Sequence, residues 1–301
     1  MKSSRARQSP RSVLFYKLFL RCLYFLALAA YVYLLVDGTS FYLSPYKERP
    51  RIEAYRLLRP AGLKGHAFGV IGATFMILML SYTLRKRIKA LRSFGILNRW
   101  LDIHIFFGIM GPLLIVLHTT FKVQGLVAVS FWSMVAVATS GIFGRYLYLQ
   151  IPRNIQGDEI DIKELEETNR QYTAELKKEF NLSDEILQRL EKRDAIGIAE
   201  NSGAIKVLFT ILKDDALRPF RFRHRQRDFA EFKHLPHEAR RKIIRIIHRR
   251  ARLSRRIALF NQVQQLFHYW HVIHKPFAVI MYIVMIVHIV VAIWTGYRWI
   301  F

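Results

Sequence analysis

Five runs of about twenty apolar residues, set apart by charged segments, restrict this chain to a narrow set of folds. They are Val13–Val36, His66–Leu84, Leu101–Phe121, Leu126–Tyr148 and Pro276–Trp299. A helix rises about 1.5 Å per residue, so each run is long enough to cross roughly 30 Å of hydrocarbon. In that solvent every backbone N–H and C=O must be satisfied within the protein, which leaves the helix as the spanning structure for runs of this length. The expected fold is therefore an all-α membrane bundle of about five transmembrane helices. The chain is 52% hydrophobic yet carries a formal charge of +25, because the apolar residues are bunched and the charges lie between the bunches. The first run follows Lys2, Arg5, Arg7 and Arg11, as a signal peptide would, but its apolar part exceeds a signal core of about 7–15 residues. Lys17 and Arg21 can snorkel to the interface, so this run is read as a retained helix.

Lysine and arginine favour the cytoplasmic side of such an array. The N-terminal tail is basic without an acid. The segment after the second run holds Arg85, Lys86, Arg87, Lys89, Arg92 and Arg99, and the stretch from Arg145 to Lys275 is rich in both residues. Five spans connect these segments consistently if the N-terminus is cytoplasmic and the C-terminus outside. The expectation is a multi-pass protein of the cell's inner (cytoplasmic) membrane. The 37–65 loop, basic and proline-containing, is expected to be irregular and partner-bound. Three segments are expected: 1–149 with four spans, a helical cytoplasmic insertion at 150–270, and 271–301 with the fifth span. Within the insertion, 154–200 has 13 acidic against 7 basic residues, and 201–256 has 17 basic against 5 acidic. Helical spacing of Leu165, Leu176, Leu182, Ile186, Leu187 and Leu190 predicts helices in the first part, with a start at Asn181-Leu182-Ser183. Arg240–Arg256 reads as a helix with Ile243, Ile244, Ile246, Ile247 and Leu253 on one side.

The residues that carry chemistry are histidines. His104 and His118 lie in the third run, His274 and His288 at the fifth, and both pairs are 14 residues apart. Fourteen residues turn a helix to about 40° short of four full turns and raise it about 21 Å, so each pair shares a face with one ring near each membrane boundary. With both helices running outward, His104 meets His274 on the inner side and His118 meets His288 on the outer side. Ionisable groups facing a membrane interior are costly and need partners. A metal accepting the ring nitrogen supplies one, and two imidazoles per site without carboxylate or thiolate point to haem iron rather than zinc or copper. The single cysteine, Cys22, excludes an iron–sulfur cluster carried by this chain alone, and no Cys-x-x-Cys-His stretch is present for covalent haem attachment. Two haems b are expected, since one macrocycle cannot span the hydrocarbon.

Other residues leave alternatives open. Gly108 and Gly111 either let a flat macrocycle approach the third helix or permit close helix–helix contact. Pro112 can kink that helix. Arg99, Arg145 and Lys275 either meet haem propionates or satisfy the positive-inside rule. His268 and His271 read as interfacial, His66 at the outer start of the second span as interfacial or else a ligand or quinone contact, and His224, His234, His237 and His248 as surface residues.

The stretch Trp270-His271-Val272-Ile273-His274-Lys275-Pro276-Phe277, followed by His288 and Gly296-Tyr297, resembles bacterial membrane cytochromes b. The arrangement as a whole resembles the ferric reductase/NADPH oxidase transmembrane domain. The resemblance implies two haems stacked between the third and fifth spans, with His104, His118, His274 and His288 as axial ligands. Neither a sixth span nor a flavin and nicotinamide domain follows, and the 150–270 insertion is foreign to that family's pattern. The expected function is an electron-transfer component of an oxidoreductase complex. It would connect a quinol or cytoplasmic donor to a partner or outer acceptor, with flavin, iron–sulfur or cytochrome c proteins as the other redox subunits. A quinone is a further candidate cofactor. No residue is assigned as a catalytic acid, base or nucleophile. The alternative is a membrane-anchored scaffold whose basic cytoplasmic helix binds anionic lipid or a partner protein. No nucleic-acid recognition motif accompanies the basic run.

Overall fold

The computed structural model describes residues 10–151, 161–180, 185, 203–225 and 236–296. Among the described residues there is no strand, and the architecture is all-α as expected. The elements are α1 (Pro10–Asp37), α2 (Thr39–Tyr42), a 3₁₀ turn at Arg49–Arg51, α3 (Tyr55–Leu58), α4 (Leu63–Arg87), a second 3₁₀ turn at Lys89–Ser93, α5 (Leu97–His118), α6 (Leu126–Gln150), α7 (Ile162–Phe180), α8 (Ala204–Arg225), α9 (His237–Ala258) and α10 (Phe260–Trp294). Five of them, α1, α4, α5, α6 and α10, are long and apolar enough to cross a membrane. Their outward faces carry exposed residues such as Leu14, Phe15, Ile77, Trp132 and Ile283, the pattern of helices solvated by lipid. The chain is thus a multi-pass membrane protein.

The last helix departs from the sequence expectation at its start. It begins at Phe260 rather than near Pro276, and it runs through Pro276 without a break. Proline removes one backbone donor, which a long helix packed on both sides of it can tolerate. Here Val263 and Leu266, well before the proline, are buried in a core of their own.

The chain divides into two compact units, Met1–Gly141 with His274–Phe301, and Ile142–Ile273. The second unit therefore takes more of α6 and α10 than the expected 150–270 insertion. Leu147 of α6 and Ile151, just past its end, pack with Val207 and Ile211 from α8 and with Leu259, Val263 and Leu266, so these helix ends belong to that core. Beside it, Arg255 of α9 pairs with Asp214 at 3.2 Å and Asp215 at 2.7 Å. Asp215 also accepts hydrogen bonds from Tyr146 at 2.7 Å and Gln150 at 2.8 Å. Burial pushes the Asp215 carboxyl up, but the Tyr146 hydroxyl, Arg255 and Gln150 outweigh it and hold the group below the usual carboxylate range. Helices α7 and α9 are joined by Lys242 with Glu179 and Glu175, and by Ser254 donating to Asn169. The helix start expected at Asn181-Leu182-Ser183 lies outside the described residues.

In the first unit the 37–65 loop is irregular, made of turns and two four-residue helices, and it is packed. Phe41, Tyr42 and Leu58 form a buried cluster with Phe68 of α4 and Leu117 of α5. Its hub is Arg49, only 6% exposed. The guanidinium donates to three carbonyls, Ser44 at 3.0 Å, Tyr42 at 2.9 Å and Thr120 at 2.7 Å, and lies 4.2 Å from the Tyr46 ring centroid. Thr120 and Phe121, which follow α5, both sit in the left-handed region at φ 50° and 61°. Such residues cost about 1–2 kcal/mol each and persist only where their surroundings hold them. Here each carbonyl is held by a side chain of the loop: Thr120 by Arg49, and Phe121 by the Tyr46 hydroxyl at 2.7 Å. Composition signals turns; it cannot signal that one buried arginine will supply the donors that let a loop fold.

Candidate functional site

Helices α4 and α5 are antiparallel neighbours, and their contact positions two of the four histidines. The His118 ring places Nδ1 2.9 Å from the carbonyl of Gly65, and the His104 ring places Nδ1 3.0 Å from the carbonyl of Met79. The 14-residue step along α5 is matched by a 14-residue step back along α4. Both carbonyls belong to a helix whose ladder uses one lone pair, and the imidazoles take the second. The Tyr282 hydroxyl of α10 does the same at the carbonyl of Met76, at 2.6 Å. α4 is thus a rail of backbone acceptors for donors from both histidine-bearing helices. Nothing in the sequence marks it, because a carbonyl belongs to every residue.

The one sequence trace of this contact is a glycine series in α4. A Cβ at Gly69 would lie 2.7 Å from His118 Nδ1 and 2.8 Å from its Cε1. Gly69 is four residues after Gly65, where a side chain would cover the Gly65 carbonyl. Its absence lets the imidazole reach that oxygen. One turn further, Gly72 meets Ile115 and the carbonyl of Gly111. Gly108 and Gly111 of α5 both face α4: a Cβ at Gly108 would lie 3.2 Å from Met79 Sδ, and one at Gly111 3.0 Å from Met76 Cγ. Close helix–helix contact is the role these contacts display.

The third histidine is held from α6. His274 Nδ1 is 2.7 Å from the Ser140 hydroxyl, which itself reaches the carbonyl of Val137 at 2.9 Å. With the hydroxyl proton on Val137, the serine oxygen accepts from Nδ1–H. His288, half-buried on α10, is an electrostatic neighbour of His118, as is His66. The structure therefore gathers His66, His118 and His288 at one end of the first unit. Among the described residues no three or more His, Cys, Asp or Glu side chains form a group that could hold a metal ion. Midway along the bundle, Met76, Met134, Met281 and Met285 form a buried cluster joining α4, α6 and α10, with Ile115 of α5 packed against it.

A haem iron held between two imidazoles asks each ring for a neutral Nε2 with its lone pair outward, which the other nitrogen secures by donating its N–H. A carbonyl can only accept, so Nδ1 is the protonated nitrogen in His104 and His118. The serine hydroxyl can donate or accept, so its contact is compatible with the same tautomer at His274 without fixing it. These three rings fit the requirement.

The remaining candidates are placed as follows. Arg99 lies 4.7 Å from the Tyr16 ring centroid, and Tyr16 donates to Asp102 of α5 at 3.4 Å. Arg145 belongs to the second unit, where its guanidinium is 5.6 Å from the Tyr148 ring. Lys275 is exposed. His271 turns Nδ1 onto the carbonyl of Phe267 in its own helix at 3.0 Å, while His268 is exposed. His237 is exposed as a surface residue should be, whereas His248 is half-buried on α9. His234 and the side chain of His224 lie outside the described residues. The chain matches no known protein family, no characterised protein and no solved structure.

Proposed function

We propose that the chain is a dihaem cytochrome b subunit, resembling the ferric reductase/NADPH oxidase transmembrane domain, that passes electrons across a membrane. The observation that carries this reading is the tautomer of His104 and His118: each presents Nδ1 to a backbone carbonyl and leaves Nε2 to bind iron, and the Ser140 contact is compatible with the same arrangement at His274. The nearness of His288 to His118 supports the outer pair, and the equal 14-residue intervals support the inner one. When bound, haem supplies one-electron redox chemistry. The protein's part is to orient the imidazoles, of which His104, His118 and His274 have hydrogen-bond partners, and to exclude water with the methionine cluster and the rings of Tyr82 and Phe106. Arg99, Arg145 and Lys275 stand as cations for propionates, with the N-terminus and the insertion on the cytoplasmic side of an inner membrane. The donor is a quinol or a cytoplasmic redox protein, and the acceptor is a partner or an outer substrate. Flavin, iron–sulfur or cytochrome c subunits complete the chain of centres.

The test is a dithionite-reduced minus oxidised visible spectrum with a pyridine haemochrome count, on wild type and His118→Ala prepared from haem-replete cells. Two haems b in wild type and one in the variant are expected. A colourless wild type would sink the reading. A second reading has an observation of its own: His118 packs on Gly69 and bonds to Gly65, so the histidines could serve as interhelical hydrogen-bond donors alone. That reading expects a colourless protein that is destabilised by His118→Ala.

A further inference from the structure

Helix α9 separates its basic residues into two sets. Ile243, Ile246 and Ile247 are buried with Arg250 on the same side, and Arg255, on a flank of the helix, is buried against Asp214 and Asp215. Lys242, at the edge, is engaged with Glu175 and Glu179 of α7. The other set is Arg241, Arg245, Arg249 and Arg252, all exposed; Arg256, exposed on the same side, has a partner of its own, and Arg240 is half-buried. At 100° per residue these four fall within an arc of about 80° and extend over about 17 Å. Among the described residues none of the four is ion-paired with an acidic side chain. Glu238, one turn earlier, is the single acid of the helix.

The position of this stripe says what it meets. α9 ends at Ala258 and α10 begins at Phe260, so only Leu259 separates the arginine helix from a membrane-spanning one. The stretch from Leu259 to His274 has no Asp, Glu, Lys or Arg and carries Phe260, Phe267, Tyr269 and Trp270, residues suited to the headgroup boundary. All four exposed residues are arginines, whose planar fork binds phosphate oxygens two at a time. The exposed arc carries no aromatic side chain on which a nucleobase could stack.

We infer that Arg241, Arg245, Arg249 and Arg252 of α9 dock the second unit onto the phosphate headgroups of an anionic lipid leaflet. Each basic side chain near such a surface favours association roughly fivefold, so four together favour the docked state by roughly several-hundred-fold. This is independent of whether the first unit holds a cofactor.

The full chain, with Cys22→Ser and His237→Cys, is labelled with bimane at the edge of the stripe and placed in nanodiscs containing a headgroup spin-labelled lipid as quencher. The expected result is strong quenching when about a third of the lipid is phosphatidylglycerol, and little when all is phosphatidylcholine. Replacing the four arginines by glutamine should abolish the quenching. Replacing them by lysine should restore it, which separates lost charge from lost folding, and high salt should weaken it. Equal quenching in both lipids, none in either, or quenching unaffected by the glutamines would overturn the inference. So would glutamine-sensitive binding of a polyglutamate peptide or a single-stranded oligonucleotide without quenching in anionic discs, which would assign the stripe to an acidic macromolecule.

Discussion

Gly69→Ala is the substitution by which the α4–α5 contact can be tested most sharply. The added methyl would sit 2.7 Å from His118 Nδ1, 2.8 Å from Cε1 and 3.0 Å from Cγ. Reaching ordinary contact near 3.4 Å requires the ring to retreat by about 0.7 Å. Gly65 and Gly69 are stacked one turn apart on the same face of α4, so that retreat also lengthens the 2.9 Å bond from Nδ1 to the Gly65 carbonyl, to about 3.6 Å. At that length the bond no longer exists. Overpacking costs about 1–3 kcal/mol, and a lost hydrogen bond about 0.5–1.5 kcal/mol. The fold should therefore lose about 2–4 kcal/mol, and the His118 imidazole should lose its fixed tautomer and direction. The measurement is haem content per chain with the reduced-minus-oxidised spectrum, beside a thermal melt in the same detergent. On the proposed dihaem reading, the outer haem should be lost or spectrally altered while the inner one stays. Gly72→Ala is the control: its methyl would meet Ile115 Cδ1 at 2.9 Å, so it should lower the melt but keep both haems. A Gly69→Ala protein with the wild-type melt, two haems and an unchanged spectrum would refute the reasoning.

Three more outcomes are expected. Ser140→Ala removes the hydroxyl at His274 Nδ1 and, on the proposed dihaem reading, should weaken retention of the inner haem by roughly 10–100-fold, read as its loss during extended detergent washing while the outer haem remains. Arg49→Lys keeps the charge but cannot reach three carbonyls at once; the Thr120–Phe121 turn should lose its support, at about 2–3 kcal/mol, with faster proteolysis of the 37–65 loop. Asp215 is held below the ordinary carboxylate range in the folded state, so in acid the unfolded chain binds the extra proton. The stabilisation is present above the unfolded value of about 3.9 and is lost as pH falls through the lower folded value. Hydrogen exchange in the second unit of the full chain should rise over that acidic window in wild type. That component should be missing in Asp215→Asn.

Much of the bundle was legible because hydropathy is a local property. A run of apolar residues long enough to cross a bilayer identifies itself, and the five spanning helices fall on the five runs. The equal intervals of His104–His118 and His274–His288 were legible for a similar reason, since helix geometry converts sequence spacing into a shared face. The amphipathic helix at 237–258 was legible from its isoleucines, though which arginines turn inward was not. Arg250 shares the isoleucine side by spacing, but Arg255 is set apart from Arg241, Arg245, Arg249 and Arg252 by Asp214 and Asp215 of α8.

What the sequence determined by itself is the inventory: a membrane bundle, four histidines in matched positions, and a strongly basic segment. What only the tertiary structure decided is how the histidine rings are oriented and which elements hold them. The acceptors for His104 and His118 are main-chain oxygens of α4, a helix with no chemical signature of its own, and the carbonyl of Gly65 is reachable because Gly69 has no side chain. The Arg49 hub and the placement of α10's first turns in the second unit's core are decided in the same way. In each case the deciding partner is a backbone group or an apolar face far along the chain. Every residue carries a carbonyl, so only the packing selects which one a side chain meets.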